Sequence, residues 1–286
     1  MLVMFVVAVW GFNFIAIKIG LDEIPPLLLG AIRFFLTSIP AVFFIKRPAA
    51  PFKMIIWYGL VMFAMPFSLL FVGMQAGVTP GLASLLLQLQ VFFTVLLAVL
   101  FMEEKLHPWQ IVGALVSFAG IALVAMHLGG DTRLSGFLLV IAAAAAWGAG
   151  NVVSKKIGKV NMVSLVVWGS LIAWPPLLIL SLMMEGTDKI LYSLHHLTWL
   201  SSSAVLYLTY LATLFAFGAW SWLIHHHPLR IIAPFTLLVP VFGILSSVLL
   251  LGEALQPWKI VAASLVIIGL CINVFGPQMH IKKAKK

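Results

Sequence analysis

Asn13, Arg33, Gln88, Gln90 and Asn151 stand inside long apolar runs. A polar side chain there is costly unless it is paired or put to use. Arg33 is the sharpest case. Its guanidinium fork suits a carboxylate, which it would meet on facing an internal path. Alternatively it snorkels to the interface or locks onto Asp22 or Glu23. Lys18 has the same choice, with snorkelling favoured. Asn13 and Asn151 can each hydrogen-bond a solute or join two helices, a bond of about 0.6–2 kcal/mol in a membrane. Gln88 and Gln90 are two positions apart and, at about 100° per residue, point about 200° apart. On a regular helix they cannot share one cavity: one lines a path and the other bonds a neighbouring helix. Gln88 shares a face with Ser84, and Gln90 with Thr94. Trp147 and Trp168 sit deep enough to wall a path, whereas Trp10, Trp174, Trp220 and Trp222 read as interface anchors.

Other chemistries find no support. His225-His226-His227 would fan out by about 100° each on a helix, a poor metal ligand set. The one cysteine, Cys271, can form neither an internal disulfide nor a thiolate cluster. Carboxylates are scattered among loops, and no acid–base pair or nucleophile set gathers at one depth. No catalytic, metal or cofactor site is expected. Glu104 and Glu253 lie at helix ends and read as structural anchors. No Asp or Glu lies in the middle of an apolar run, so any proton coupling is expected to avoid a buried carboxylate.

The elements that must position these residues are membrane helices. Of 286 residues, 63% are hydrophobic and 9% charged, too few polar groups to cover a water-soluble surface. Ten apolar segments are long enough to span a bilayer: roughly 2–19, 27–45, 54–74, 81–102, 109–127, 134–154, 162–183, 198–224, 231–251 and 258–276. A β-barrel would alternate apolar and polar residues. Val91–Met102 and Ile260–Ile272 are instead broken only by Thr94 and Ser264. The first run is read as a retained helix rather than a signal peptide. Connections are short, including Gly129-Gly130-Asp131 and His227-Pro228, and the longest lies near Glu185–Leu197. Pro66, Pro175-Pro176, Pro234 and Pro240 permit kinks, with a hinge or static bend early in the ninth segment.

Orientation follows from basic residues in short loops. With both termini inside, inner loops hold Lys46, Arg47, Lys53, Lys105, Lys155, Lys156, Lys159, Arg230, Lys282, Lys283, Lys285 and Lys286. Outer loops hold Arg133, Lys189 and Lys259, so the ratio is twelve to three. The net charge of +9 is therefore a loop property and no sign of nucleic acid.

The chain also echoes itself. Trp10-Gly11-Phe12-Asn13 with Lys18-Ile19-Gly20 returns as Trp147-Gly148-Ala149-Gly150-Asn151 with Lys156-Ile157-Gly158, 137 to 138 residues later. Glu104-Lys105-Leu106-His107-Pro108-Trp109 is answered by Glu253-Ala254-Leu255-Gln256-Pro257-Trp258. In that alignment Gln88 and Gln90 face Leu237 and Val239, so the glutamines break the symmetry. Residues 1–128 and 129–286 are the expected repeats. Five helices per repeat is odd, so the second must insert upside down. Inverted repeats are a transporter signature, with the solute site near the midplane between them.

At these residues the chain resembles the EamA family of the drug/metabolite transporter superfamily. The match is carried by Trp10-Gly11-x-Asn13, Arg33-Phe34, Gly81-Leu82-Ala83-Ser84 and Gln88-x-Gln90-x-Phe92-Phe93-Thr94 with Glu104. The second half adds Trp147-Gly148-x-x-Asn151, Ala233-Pro234, Leu238-Val239-Pro240 and Glu253. Gln88–Thr94 and the closing Ile272-Asn273-Val274-Phe275-Gly276 look most like bacterial exporters of cysteine and O-acetylserine. The resemblance implies an all-α ten-helix inverted-repeat fold with a central cavity and peripheral fifth and tenth helices. It implies a multi-pass protein of the bacterial inner membrane that exports amino-acid-like solutes, as monomer or homodimer. Its expected partners are a small-molecule substrate and the lipid bilayer. The alternatives are a carrier of aromatic or hydrophobic amino acids or drugs and, much less favoured, a membrane enzyme or scaffold.

Overall fold

Ten helices are long and apolar enough to cross a membrane. They are α1 (Leu2–Glu23), α2 (Pro26–Phe43), α3 (Phe52–Gln75), α4 (Pro80–Met102) and α5 (Pro108–Met126). Then follow α6 (Leu134–Ile157), α7 (Met162–Met184), α8 (Trp199–Ile224), α9 (Pro234–Leu251) and α10 (Pro257–Pro277). The computed structural model describes residues 1–128, 133–227 and 229–284, among which there is no strand. The Gly129-Gly130-Asp131 connection, Pro228 and the side chains of His225, Arg230 and the basic tail lie outside the described residues. Every span expected from hydropathy is present, its ends shifted by at most four residues. Pro26, Pro80, Pro108 and Pro257 each open a helix, where the missing N–H costs nothing.

The expected connection at Glu185–Leu197 differs. It contains a short helix, Thr187–His195, that buries Ile190 and Ser193. Gly186, at φ 83°, turns the chain into it. A nine-residue helix with so little apolar surface escapes a search for spans.

Two helix pairs cross at close range in matching places. A Cβ on Gly11 of α1 would lie 2.3 Å from Phe242 Cβ of α9, and one on Gly148 of α6 would lie 2.8 Å from Phe93 Cβ of α4. Glycine is therefore required where α1 meets α9 and where α6 meets α4. At the edge, α5 and α10 pack chiefly on each other. Ser117 Oγ donates to the Val266 carbonyl at 3.1 Å.

The helices around the centre are irregular, again in matching places. Gly59–Ala64 in α3 and Tyr207–Phe215 in α8 widen into π-helical turns. Leu87–Leu89 in α4 and Ala233–Leu238 in α9 tighten into 3-10 geometry. The chemistry explains two of them. Pro66 offers no N–H to Met62, inside the α3 turn. In α8, Thr213 Oγ1 donates to the Leu208 carbonyl five residues back at 2.7 Å, the spacing of a π turn. The bend expected early in α9 is the 3-10 segment before Pro240.

Candidate functional site

A cavity of about 330 Å³ lies among these irregular segments, at the small end of the usual range for small-molecule sites. Its polar lining comes from Asn13 of α1, Arg33 of α2, Tyr58 of α3, Ser84, Gln88 and Gln90 of α4, Asn151 and Ser154 of α6, and Thr236 of α9. Its apolar walls include Trp10, Phe67, Trp147, Phe217 and Trp220. The Trp10 ring lies 5.3 Å from that of Trp220 and 5.5 Å from that of Phe217. Phe67 and Trp147 are 5.3 Å apart.

Gln88 and Gln90 both line the cavity, against the expectation that only one does. The 3-10 turn at Leu87–Leu89 falls between them. At three residues per turn they are separated by about 120° instead of about 160° the short way round. Each reaches the last five helices. Gln88 Nε2 donates to the Thr236 carbonyl at 3.2 Å. That carbonyl is four residues before Pro240, which has no N–H to give it. Gln90 Oε1 accepts from Asn151 Nδ2 at 2.7 Å, and the same Nδ2 lies 3.0 Å from Thr94 Oγ1. Asn151 is thus a helix joiner that also faces the cavity.

Asn13, its counterpart, is not tied in this way. It is buried, lines the cavity, and its Oδ1 has no hydrogen-bond partner. The positions matching Gln90 and Thr94 are Val239 and Gly243, which have nothing to offer an amide.

Arg33 is 2% exposed and forms no ion pair among the described residues. Nε and Nη2 both donate to Thr213 Oγ1, at 3.2 and 3.0 Å. The guanidinium carbon sits 4.4 Å from the centre of the Phe67 ring, a cation–π contact. Nη1 has no partner. The lock onto Asp22 or Glu23 is absent: Asp22 pairs with Lys18, and Glu23 binds Thr198 and Ser201 of the α8 start. Lys18, for which snorkelling was the favoured reading, makes the ion pair with Asp22 and does not line the cavity.

Trp168 lies outside the cavity lining. Its indole N–H donates to the Ile45 carbonyl at 3.1 Å, tying α7 to the α2–α3 connection. Trp10 and Trp220, read as interface anchors, line the cavity instead. Helical periodicity cannot tell a wall from an anchor when every face of a span is apolar. The role of Thr213 beneath Arg33 was equally invisible, because it depends on the π turn of α8.

The two ends of the bundle differ. At one end three glutamates each reach the start of a helix across the molecule. Glu23 accepts from the Thr198 N–H at 2.9 Å. Glu185 accepts from the N–H groups of Leu27 and Leu28 at 2.7 and 3.1 Å. Glu253 accepts from Thr79 Oγ1 at 2.5 Å, the Gly81 N–H at 3.3 Å and Lys259 Nζ at 2.8 Å. Helix starts carry unpaired N–H groups and partial positive charge, so a carboxylate suits them. Below this end α4 and α9 touch: a Cβ on Gly243 would lie 2.5 Å from Ser84. At the other end, rich in lysine, the cavity reaches Ser154 and Met162 beside the α6–α7 connection. There Glu104 pairs with Lys155. Both glutamates expected to be anchors make such ties. His226 stacks on Trp222, and no group of three metal-ligating side chains occurs among the described residues.

Comparison with known proteins agrees with this architecture. A Salmonella typhimurium protein named as a probable amino-acid metabolite efflux pump is 41% identical over 281 residues, 96% of this chain and 94% of that protein. Its Escherichia coli namesake is 39% identical over the same shares. A solved crystal structure shares the fold, with a TM-score of 0.63 at 18% identity, covering 95% of this chain and 94% of the other. The model of the EamA-like transporter family matches residues 1–126 and again 134–275. Matched twice and along nearly its whole length, the chain is a transporter that belongs to the EamA-like family.

Proposed function

We propose that the protein exports small amino-acid-type metabolites, cysteine and O-acetylserine among them, by alternating access between residues 1–128 and an inverted second half, 129–286. Its site is a bacterial inner membrane, with both termini cytoplasmic. The observation that carries the reading is the cavity itself. It takes polar groups from both halves, reaches the lysine-rich end and has none of the three helix-tying glutamates in its lining. That is the shape of a carrier open to the side rich in Lys and Arg, which the loop-charge rule assigns to the cytoplasm. The relatives named as amino-acid metabolite efflux pumps support the solute class. An Escherichia coli protein named as an inner membrane transporter, 23% identical over 280 residues, supports the membrane. The matching bends and helix crossings support two halves of equivalent shape, which is what exchange between two states of similar energy needs.

Aromatic amino acids are a second reading, favoured by the Trp10, Trp147, Phe67 and Trp220 walls. One experiment separates the two. Proteoliposomes preloaded with radiolabelled cysteine are followed for efflux, with or without O-acetylserine outside. Saturable efflux accelerated by external O-acetylserine is expected. Efflux no faster than from empty liposomes, with the protein folded, removes these solutes, and acceleration by phenylalanine alone selects the second reading.

A further inference from the structure

We infer that the cavity recognises a carboxylate through the Arg33 guanidinium and an α-ammonium group through Asn13 Oδ1, and that it rejects organic cations. The inference rests on reading the cavity as the solute site. Among the described residues six buried side-chain N or O atoms have no hydrogen-bond partner. Two of the six belong to residues that line the cavity, Arg33 Nη1 and Asn13 Oδ1. A buried polar atom left unpaired calls for an explanation. Here one is a charged donor and the other a neutral acceptor. An α-amino acid carries the complement, a carboxylate that only accepts and an ammonium that only donates.

Four of the neighbouring polar side chains already hold a partner. Gln88 holds the Thr236 carbonyl, Gln90 and Asn151 hold each other, and Ser84 donates to the Gly81 carbonyl. Thr213 takes two N–H groups of Arg33 and Phe67 covers its face, which fixes the fork and leaves Nη1 buried without a partner. Charge points the same way. Among the described residues Arg33 is the only charged one in the lining. A bundle interior screens charge poorly. A carboxylate entering it neutralises Arg33, whereas an organic cation adds a second positive charge with no counter-ion.

Trp10, Trp147 and Trp220 in the lining make intrinsic fluorescence a reporter of occupancy. The purified full chain in nanodiscs is titrated with O-acetylserine and phenylalanine, their carboxamides, phenylpropionate and tetramethylammonium. The acids are expected to half-saturate at about 10- to 100-fold lower concentration than the carboxamides, the range for a hydrogen bond to a charged group. Tetramethylammonium neither binds nor competes. Arg33→Gln brings the acids to the carboxamide level, while Asn13→Leu erases the preference for phenylalanine over phenylpropionate. A merely structural role would lower all affinities together and move neither ratio. Arg33→Lys, which keeps the charge without the fork, retains part of the acid preference and decides the matter should Arg33→Gln fail to fold. Carboxamides or the cation binding as well as the acids overturns the inference, as does acid preference surviving in Arg33→Gln or an absence of saturable quenching in folded protein. Absent cysteine flux alongside intact acid-over-carboxamide selectivity would sink the proposed substrates and leave this inference standing.

Discussion

Two corners of the cavity occupy equivalent places and do different work. In one, Gly148 of α6 lies on Phe93 of α4, and Asn151 is held by Gln90 and Thr94. In the other, Gly11 of α1 lies on Phe242 of α9, and Asn13 Oδ1 has no partner. The backbones meet in the same way. The difference comes from two side chains, Val239 where the first corner has Gln90 and Gly243 where it has Thr94. A repeated scaffold thus places the same amide twice, and its neighbours decide whether it joins helices or stays unpaired.

The crossings should respond alike and most strongly. Gly11→Ala and Gly148→Ala each force a Cβ into a neighbouring helix, at a cost of about 1–3 kcal/mol. Thermal unfolding followed by fluorescence should show a lower midpoint for both, with Gly11→Ala the more damaging because its contact is closer. Equal stability to the parent would mean that the two crossings are not the rigid points of the scaffold.

Val239→Gln would give Asn13 the partner that Asn151 has. Loss of about tenfold in amino-acid affinity is expected, because a free acceptor is filled. The unfolding midpoint should hold or rise. Undiminished affinity would show that Asn13 is not an open recognition group. The reverse change, Gln90→Leu, frees Asn151 and costs a membrane hydrogen bond, about 0.6–2 kcal/mol. Its effect should appear in the unfolding midpoint rather than in acid-over-carboxamide selectivity.

The smallest effect lies above the Asn13 corner, where Glu253 ties the end of α9 to the start of α4. Burial raises its carboxyl pKa, but hydrogen bonds from Lys259, Ser247 and Thr79 and the Lys259 charge outweigh that and hold it below the ordinary value of 4.5. A carboxylate with a depressed folded-state pKa stabilises above its unfolded pKa and loses that contribution as pH falls through the folded one. Glu253→Gln should therefore cost about 0.3–1 kcal/mol, constant from pH 8 to 5 and shrinking only below 4.5. Midpoints of parent and variant measured across that range check it, and a penalty that vanishes near pH 6 would contradict the assignment.

Much of this was readable from residue order. Twenty-residue apolar runs have one solution in a bilayer, because every backbone N–H and C=O must be paired within the segment. The polar residues inside them were equally visible, and Asn13, Arg33, Gln88, Gln90, Asn151 and Trp147 all meet at the cavity. Their roles there were not. Placing Gln88 and Gln90 on opposite faces assumed a regular helix, and the 3-10 turn at Leu87–Leu89 removed that assumption. Trp168 reads like Trp147 in sequence, yet its indole faces the Ile45 carbonyl. Arg33 had an internal path, the interface and a lock onto Asp22 or Glu23 all open to it in sequence, whereas Thr213, 180 positions away, receives it.

By itself the sequence determined the number and placement of the spans, the echo between the halves and the scarcity of charge within the membrane, because hydropathy and repetition are properties of residue order. Only the tertiary structure decided which polar groups pair, which stay unpaired and which helix ends are tied together. Those outcomes hang on local bends and on contacts between helices far apart in the chain, where a turn of a few tens of degrees moves a side chain from one partner to another.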